Sequence, residues 1–242
     1  MNEFLFDTHA HLDLLPDFED TVSKIEQRKI YTIAVTNLPS LYKRLSNKIN
    51  SKYIKPALGF HPELIEQYAN HIPEMWDRLP EAKYIGEVGL DLKVAGKSEY
   101  LQTSFFTELI KRCNKLGGKI LTVHSRGAAQ QVIDIIGDKF NGKFILHWYS
   151  GSLKTLEQAV NNGAYFSINY AMTLSLSGQK IIRSIPKNRL LLESDAPFVN
   201  FEGKRFDSLC VDLTVAKIAE LRNLTYLEAS SQLYENFKAL LD

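Results

Sequence analysis

The sequence predicts an α/β protein of the (β/α)8 TIM-barrel class, and three features carry that prediction. Strand-like runs alternate with helical periodicity along all 242 residues, a length that suits one such barrel. Several of the runs are apolar on both faces, as buried parallel strands must be. No Gly-x-Gly-x-x-Gly turn follows the first run, which disfavours the open doubly wound sheet as the alternative arrangement.

Each element has its own signal. The predicted strands are Glu3–Thr8, Ile30–Val35, Ile54–Phe60, Lys83–Val88, Lys119–Val123, Lys143–Leu146, Ala164–Ile168 and Arg189–Leu192, all short and rich in β-branched and aromatic residues. Helical spacing marks Phe18–Lys29, Tyr42–Asn50, Glu99–Leu116, Gly127–Asp138, Leu153–Asn162 and Gln179–Ile185. Leu64–Leu79 reads as a helix broken by Pro73. Gly117-Gly118 and Asn162-Gly163 suit helix C-termini, and Ser152 suits an N-cap. Leu209–Leu221 closes the eighth unit, and Tyr226–Leu241 is an extra C-terminal helix expected to pack outside the barrel. No linker or low-complexity tract divides the chain, so residues 1–242 read as a single domain.

Composition narrows the function classes. The chain is 45% apolar and 24% charged, with a formal net charge of +1, so a broad polyanion-coating surface is excluded. A nucleic-acid contact would have to be local. Cys113 and Cys210 lie in predicted helices without Cys-x-x-Cys partners, which predicts reduced thiols and a cytoplasmic protein. The start MNEFLFDTHAH lacks a basic n-region, and no apolar run is long enough for a membrane span, so no membrane partner is expected.

The chemistry is concentrated where the predicted strands run out. His9 and His11 end the first strand in DTHAHLD, His61 the third, Glu87 the fourth, His124 the fifth, His147 the sixth and Asp195 the eighth. In a closed barrel these side chains share one rim. Imidazoles suit zinc, iron or manganese, and carboxylates add affinity for harder ions, so the mixture predicts a two-metal site. Any one of these histidines alone would more often be a hydrogen-bonded core residue; their common position is the signal. Glu87 lies in the almost wholly apolar run YIGEVGLD, where a charge needs a cation, and it is the expected bridge between two ions. Gly86 and Gly89 leave it space. Asp91 is equally a supporting residue or a turn aspartate, Glu193 is expected to fix a ligand or a basic group, and His71 is expected to face solvent.

At this point the blocks DTHAHLD, GFHPE, IGEVGLD, VHSRGA, HWYSGS and LLLESDAPF, with GKR at Gly203–Arg205, resemble in order and spacing the TatD-like metal-dependent DNases. The stretches GGKILTVHSRGAA and FILHWYSGS look most similar to the TatD-like nuclease of Qat-type anti-phage defence systems. The resemblance implies a metallo-dependent-hydrolase barrel and two divalent ions (Mg, Mn or Zn). His9, His11 and Asp195 would hold one ion, Glu87 would bridge, His124 and His147 would hold the other, and His61 would orient the scissile phosphate. It further implies a 3'-5' exonuclease acting on DNA single strands or ends, with defence-system proteins as partners. Glu63 stands where many relatives have another histidine, and Gly127 where an acidic residue is frequent. Those departures leave the choice among DNA, RNA and a smaller phosphodiester open.

The expected reaction is phosphodiester hydrolysis, two ions activating water and stabilising the attacking and leaving oxygens while Asp195 takes the proton. Arg126 is a candidate phosphate clamp or a surface arginine. Trp148 and Tyr149 are candidate base-stacking residues or core packing, and Lys204 and Arg205 are candidate backbone contacts or a solvated loop. Two other readings remain: an amidohydrolase or deaminase, whose bridging lysine this fourth strand lacks, since Lys83 sits at the wrong end; and a non-catalytic metal-binding subunit of a defence complex.

Overall fold

β-Branched and aromatic runs become strands, and the periodic segments between them become helices. A computed structural model of the chain describes residues 5–201 and 203–242, without the side chains of 201 and 204. Its strands are β1 (Phe6–Ala10), β2 (Tyr31–Ala34), β3 (Ile54–Pro56), β4 (Tyr84–Gly89), β5 (Lys119–His124), β6 (Gly142–His147), β7 (Tyr165–Ile168), β8 (Leu190–Leu192), and the short pair β9 (Asn200–Phe201) and β10 (Lys204–Arg205). The helices are α1 (Phe18–Arg28), α2 (Pro39–Lys48), α3 (Ile72–Arg78), α4 (Glu99–Leu116), α5 (Ala129–Ile136), α6 (Leu153–Asn161), α7 (Tyr170–Leu174), α8 (Leu176–Ser184), α9 (Val211–Arg222) and α10 (Tyr226–Leu241). None of the described helices is long and apolar enough to cross a membrane.

Two compact units emerge. One comprises the chain up to Ala34, Ile49–Lys55 and Phe166–Asp242. In it β1 pairs in parallel with β2, and Phe166–Ile168 of β7 pair in parallel with β8. Thr8 donates its hydroxyl to the Leu192 carbonyl, and the Asp195 N–H donates to the His9 carbonyl, tying the end of β8 to β1. α10 docks through Phe237, whose ring stacks on Phe6 at 4.4 Å, and through Asn236, which donates to the Lys187 and Leu190 carbonyls. Thr225 caps α10 in a reciprocal capping box with Glu228.

The other unit comprises Val35–Lys48 and Pro56–Tyr165. Here β4, β5 and β6 run parallel and in register, with a shift between Ile85 and Val88. Their inward apolar residues, among them Ile85, Leu121 and Ile145, are fully buried. Ser152 caps α6 by accepting from the Thr155 N–H, as its sequence context predicts.

Several boundaries differ from expectation. Glu3, the predicted start of the first strand, lies outside the described residues. The third strand stops at Pro56 rather than Phe60, leaving an isolated parallel bridge from Leu58 to Ile85. Pro73 does not break a helix. It sits in the first turn of α3, where its missing N–H costs nothing, and the preceding segment forms two short 3-10 turns. α8 begins before Gln179 because Ser175 caps it, and α7 has no counterpart in the predicted elements. Cys210 ends a 3-10 turn ahead of α9 instead of lying inside that helix.

Candidate metal centre

In the unit built on β1 and β8, the motif DTHAH supplies both a lock and two donors. The lock is Asp7. Its buried carboxylate accepts the His9 N–H and the Ser194 N–H at 3.0 Å each, and the Ser194 and Ser208 hydroxyls at 2.6 Å each. Burial pushes this carboxyl up to about 6, against the lowering effect of those four bonds. One acidic side chain thus fastens the ends of two strands to the turn before α9. Asp195 adopts a left-handed φ of 49°, its N–H bonded to the His9 carbonyl at 2.9 Å, while the His11 N–H reaches the Ala196 carbonyl at 2.9 Å. The donors converge as a result. His9 Nε2 and His11 Nε2 lie 3.3 Å apart, and Asp195 Oδ1 lies 3.6 and 3.8 Å from them. All three residues are buried.

In the unit built on β4 to β6, one carboxylate oxygen is the focus. Glu87 lies within β4, its N–H bonded to the Thr36 carbonyl and its carbonyl accepting the Phe60 N–H. A Cβ at Gly86 would collide with the Thr122 side chain, and one at Gly89 (φ 139°) with the His124 carbonyl. The glycines are therefore required for close strand approach on both sides of Glu87. Glu87 Oε1 meets His124 Nδ1 at 2.6 Å, His147 Nε2 at 2.8 Å and His61 Nε2 at 3.3 Å. His61 Nδ1 accepts the Glu63 N–H at 3.3 Å, which leaves Nε2 as the nitrogen that faces Glu87. His124 uses its other nitrogen on Asp91: Nε2 to Oδ2 is 2.8 Å. Burial pushes the His124 pKa down, but hydrogen bonds and charge from Asp91 and Glu87 outweigh it and raise it to about 9.

Each group passes a simple test of fit. Ligand atoms held at roughly 2.0–2.2 Å from one ion stand about 3.0–3.5 Å apart. The His9, His11 and Asp195 separations and those around Glu87 fall near that range, and all the donors are types that divalent cations take. His61, Glu87 and His124 form one group whose ligand atoms lie within 4.8 Å of one another. Three imidazoles aimed at one buried carboxylate oxygen form a poor apolar core and a good cation cradle.

The remaining expected residues fall out differently. His71 is half-exposed and paired with Glu74 at the end of its own 3-10 turn. Glu193 accepts from the Ser167 hydroxyl and the Asn169 amide, so it braces β7 and the cap of α7. The aromatic pair separates. Tyr149 is buried with its hydroxyl on the Ser152 carbonyl, which makes it core, whereas Trp148, at a left-handed φ of 40°, remains partly exposed. Arg126 is exposed, 3.7 Å from Asp91 and 3.9 Å from Glu63, in a turn ahead of α5. The Arg205 fork is held by Asp17 at 2.9 Å and Asp207 at 3.2 Å. The Lys204 side chain lies outside the described residues. Sequence reasoning missed the Asp7 lock, although the serine of LLLESDAPF and that of FDSLC were visible as its partners.

Comparison with known proteins agrees with this chemistry. The chain is 27% identical to the uncharacterized metal-dependent hydrolase YabD of Bacillus subtilis, over 98% of each protein. It is 25% identical to human deoxyribonuclease TATDN3, over 93% of this chain and 89% of that protein. The crystal structure of YjjV, a TatD homologue from Escherichia coli, is 23% identical, covers 99% of this chain and 98% of its own, and superposes with a TM-score of 0.87. That likeness establishes the fold class as a (β/α)8 barrel. The family model described as TatD related DNase matches residues 6–242, and the chain belongs to that family.

Proposed function

We propose that this protein is a phosphodiesterase that hydrolyses nucleic-acid strands at their ends with two divalent cations. The observation that carries the proposal is the convergence of His61, His124 and His147 on Glu87 Oε1; the His9–His11–Asp195 group of the other unit has the same donor chemistry. His9, His11 and Asp195 would hold one cation; Glu87, His124 and His147 would hold the other. The assignment of Glu87 as a shared ligand rests on its sequence context and the family resemblance. Bound there, such ions supply Lewis acidity, lowering the pKa of water and neutralising charge on a phosphoryl group.

The chain's own groups do the rest. Asp195 accepts the proton of the attacking water, His61 Nε2 orients the phosphate, and Arg126 offers an exposed guanidinium fork to a non-bridging oxygen. Trp148 supplies a face for a terminal base. DNA single strands processed 3' to 5' are the substrate the resemblance favours. An anti-phage setting in the cytosol with partner proteins rests on the blocks GGKILTVHSRGAA and FILHWYSGS and on two free cysteines.

The test is metal analysis coupled to digestion of DNA and RNA, single- and double-stranded, labelled at either end, with Mg, Mn and Zn compared. Hydantoins and nucleosides serve as counter-substrates. Turnover of those alone would replace this reading with an amidohydrolase. Phage plating on cells that carry Glu87→Ala decides the defence role.

A further inference from the structure

We propose that Asp91 is a positioning residue that fixes which nitrogen of His124 is offered to a cation. This deepens the reading that Glu87, His124 and His147 hold one. Asp91 is fully buried, and its two oxygens have separate tasks. Oδ1 accepts the Lys93 N–H at 3.0 Å and closes the turn after β4; Oδ2 faces His124 Nε2 at 2.8 Å. The residue cannot drift, because its own N–H is bonded to Gln102 Oε1 at 2.9 Å, and Gln102 Nε2 is bonded to Ser98 Oγ at 3.0 Å. An acceptor so anchored keeps the ring proton on Nε2. That leaves Nδ1, the nitrogen 2.6 Å from Glu87 Oε1 and 3.3 Å from His147 Nε2, as the lone pair for a cation.

The chemistry of an amide makes the idea testable. In Asp91→Asn the side chain has one oxygen for two donors. With the oxygen toward His124, the amide group faces the Lys93 N–H, donor against donor. With the oxygen toward Lys93, the amide faces Nε2, which must then accept, so the ring proton moves to Nδ1 and blocks the cation. The variant cannot serve both neighbours.

The first measurement needs no variant: nitrogen-proton correlation spectra of the Zn-loaded protein labelled at histidine. His124 is expected as the Nε2–H tautomer, and finding it as Nδ1–H would overturn the proposal. Co(II) titration then compares wild type with Asp91→Asn and Asp91→Ala, read by visible absorption. A loss of affinity of about 10- to 100-fold with an altered spectrum is expected. Wild-type affinity and spectrum in both variants, with only the melting temperature changed, would reduce Asp91 to a turn residue. A wild-type protein that takes up no Co(II) would instead overturn the metal reading itself.

Discussion

A histidine offers a lone pair to a cation only in its neutral form, and His124 holds its second proton firmly. Burial opposes that proton, yet Asp91 and Glu87 lift the pKa to about 9, above the ordinary histidine value. In the metal-free protein this stabilisation is complete below about pH 6.5 and is lost as pH rises through 9. Cation uptake has the opposite sign, because the proton competes. Affinity for Mn(II) is therefore expected to rise by up to about tenfold per pH unit between 7 and 9, measurable by calorimetry in buffers of differing ionisation enthalpy. A pH-independent affinity would remove His124 from the ligand set. Asp195→Asn is expected to lower turnover by about 10²- to 10⁴-fold while the fold persists, since it loses the proton acceptor. Cys113 offers a contrast: burial raises its thiol to about 12, so it should resist iodoacetamide until the protein unfolds. The candidate ligands were legible in sequence because a charge ending an apolar run has few other reasons to be there. The pairing of Arg205 was not, because Asp17, one of the two carboxylates that hold it, comes from a segment far away in the chain.

Elements carry a second kind of evidence. Lys119 opens β5 with a buried ammonium that donates to the Leu79, Pro80 and Ala82 carbonyls at 2.8–2.9 Å. Replacing it by Met strands three carbonyls, at an expected cost of roughly 1–3 kcal/mol for each one that water does not reach. Chemical denaturation of Lys119→Met should show that loss without any change in metal content. α10 is no appendage either. Phe237 stacks on Phe6 and meets Tyr31 edge-on, so Phe237→Ala should destabilise by about 3–5 kcal/mol. A melting temperature within about 2 °C of wild type would show that α10 is dispensable. Glu99–Leu116 and Tyr226–Leu241 were readable to the residue because long helices average over many turns. α7 spans only five residues and owes its start to Asn169 accepting the Met172 N–H, too little periodicity for a pattern to register.

For the whole molecule, charge sets the terms of binding. A net charge of +1 gives no general attraction for a polyanion. Single-stranded DNA should therefore bind with a salt slope no steeper than about −2, the value for two or three phosphate contacts at roughly −0.7 each. A slope of −5 or beyond would mean a wide basic footprint and a different mode of engagement. Sequence alone determined the fold class, the alternation of strands and helices, and the set of histidines and acids at strand ends. All of these follow from local side-chain periodicity and from the energetic oddity of a charge in an apolar run. Tertiary structure alone decided which nitrogen meets which oxygen: His124 between Glu87 and Asp91, Asp7 between two strand ends, Arg205 in its acidic clamp, Tyr149 in the core. Hydrogen-bond partners are chosen by distances of a few ångströms between residues far apart in the chain, and no pattern along the chain encodes those.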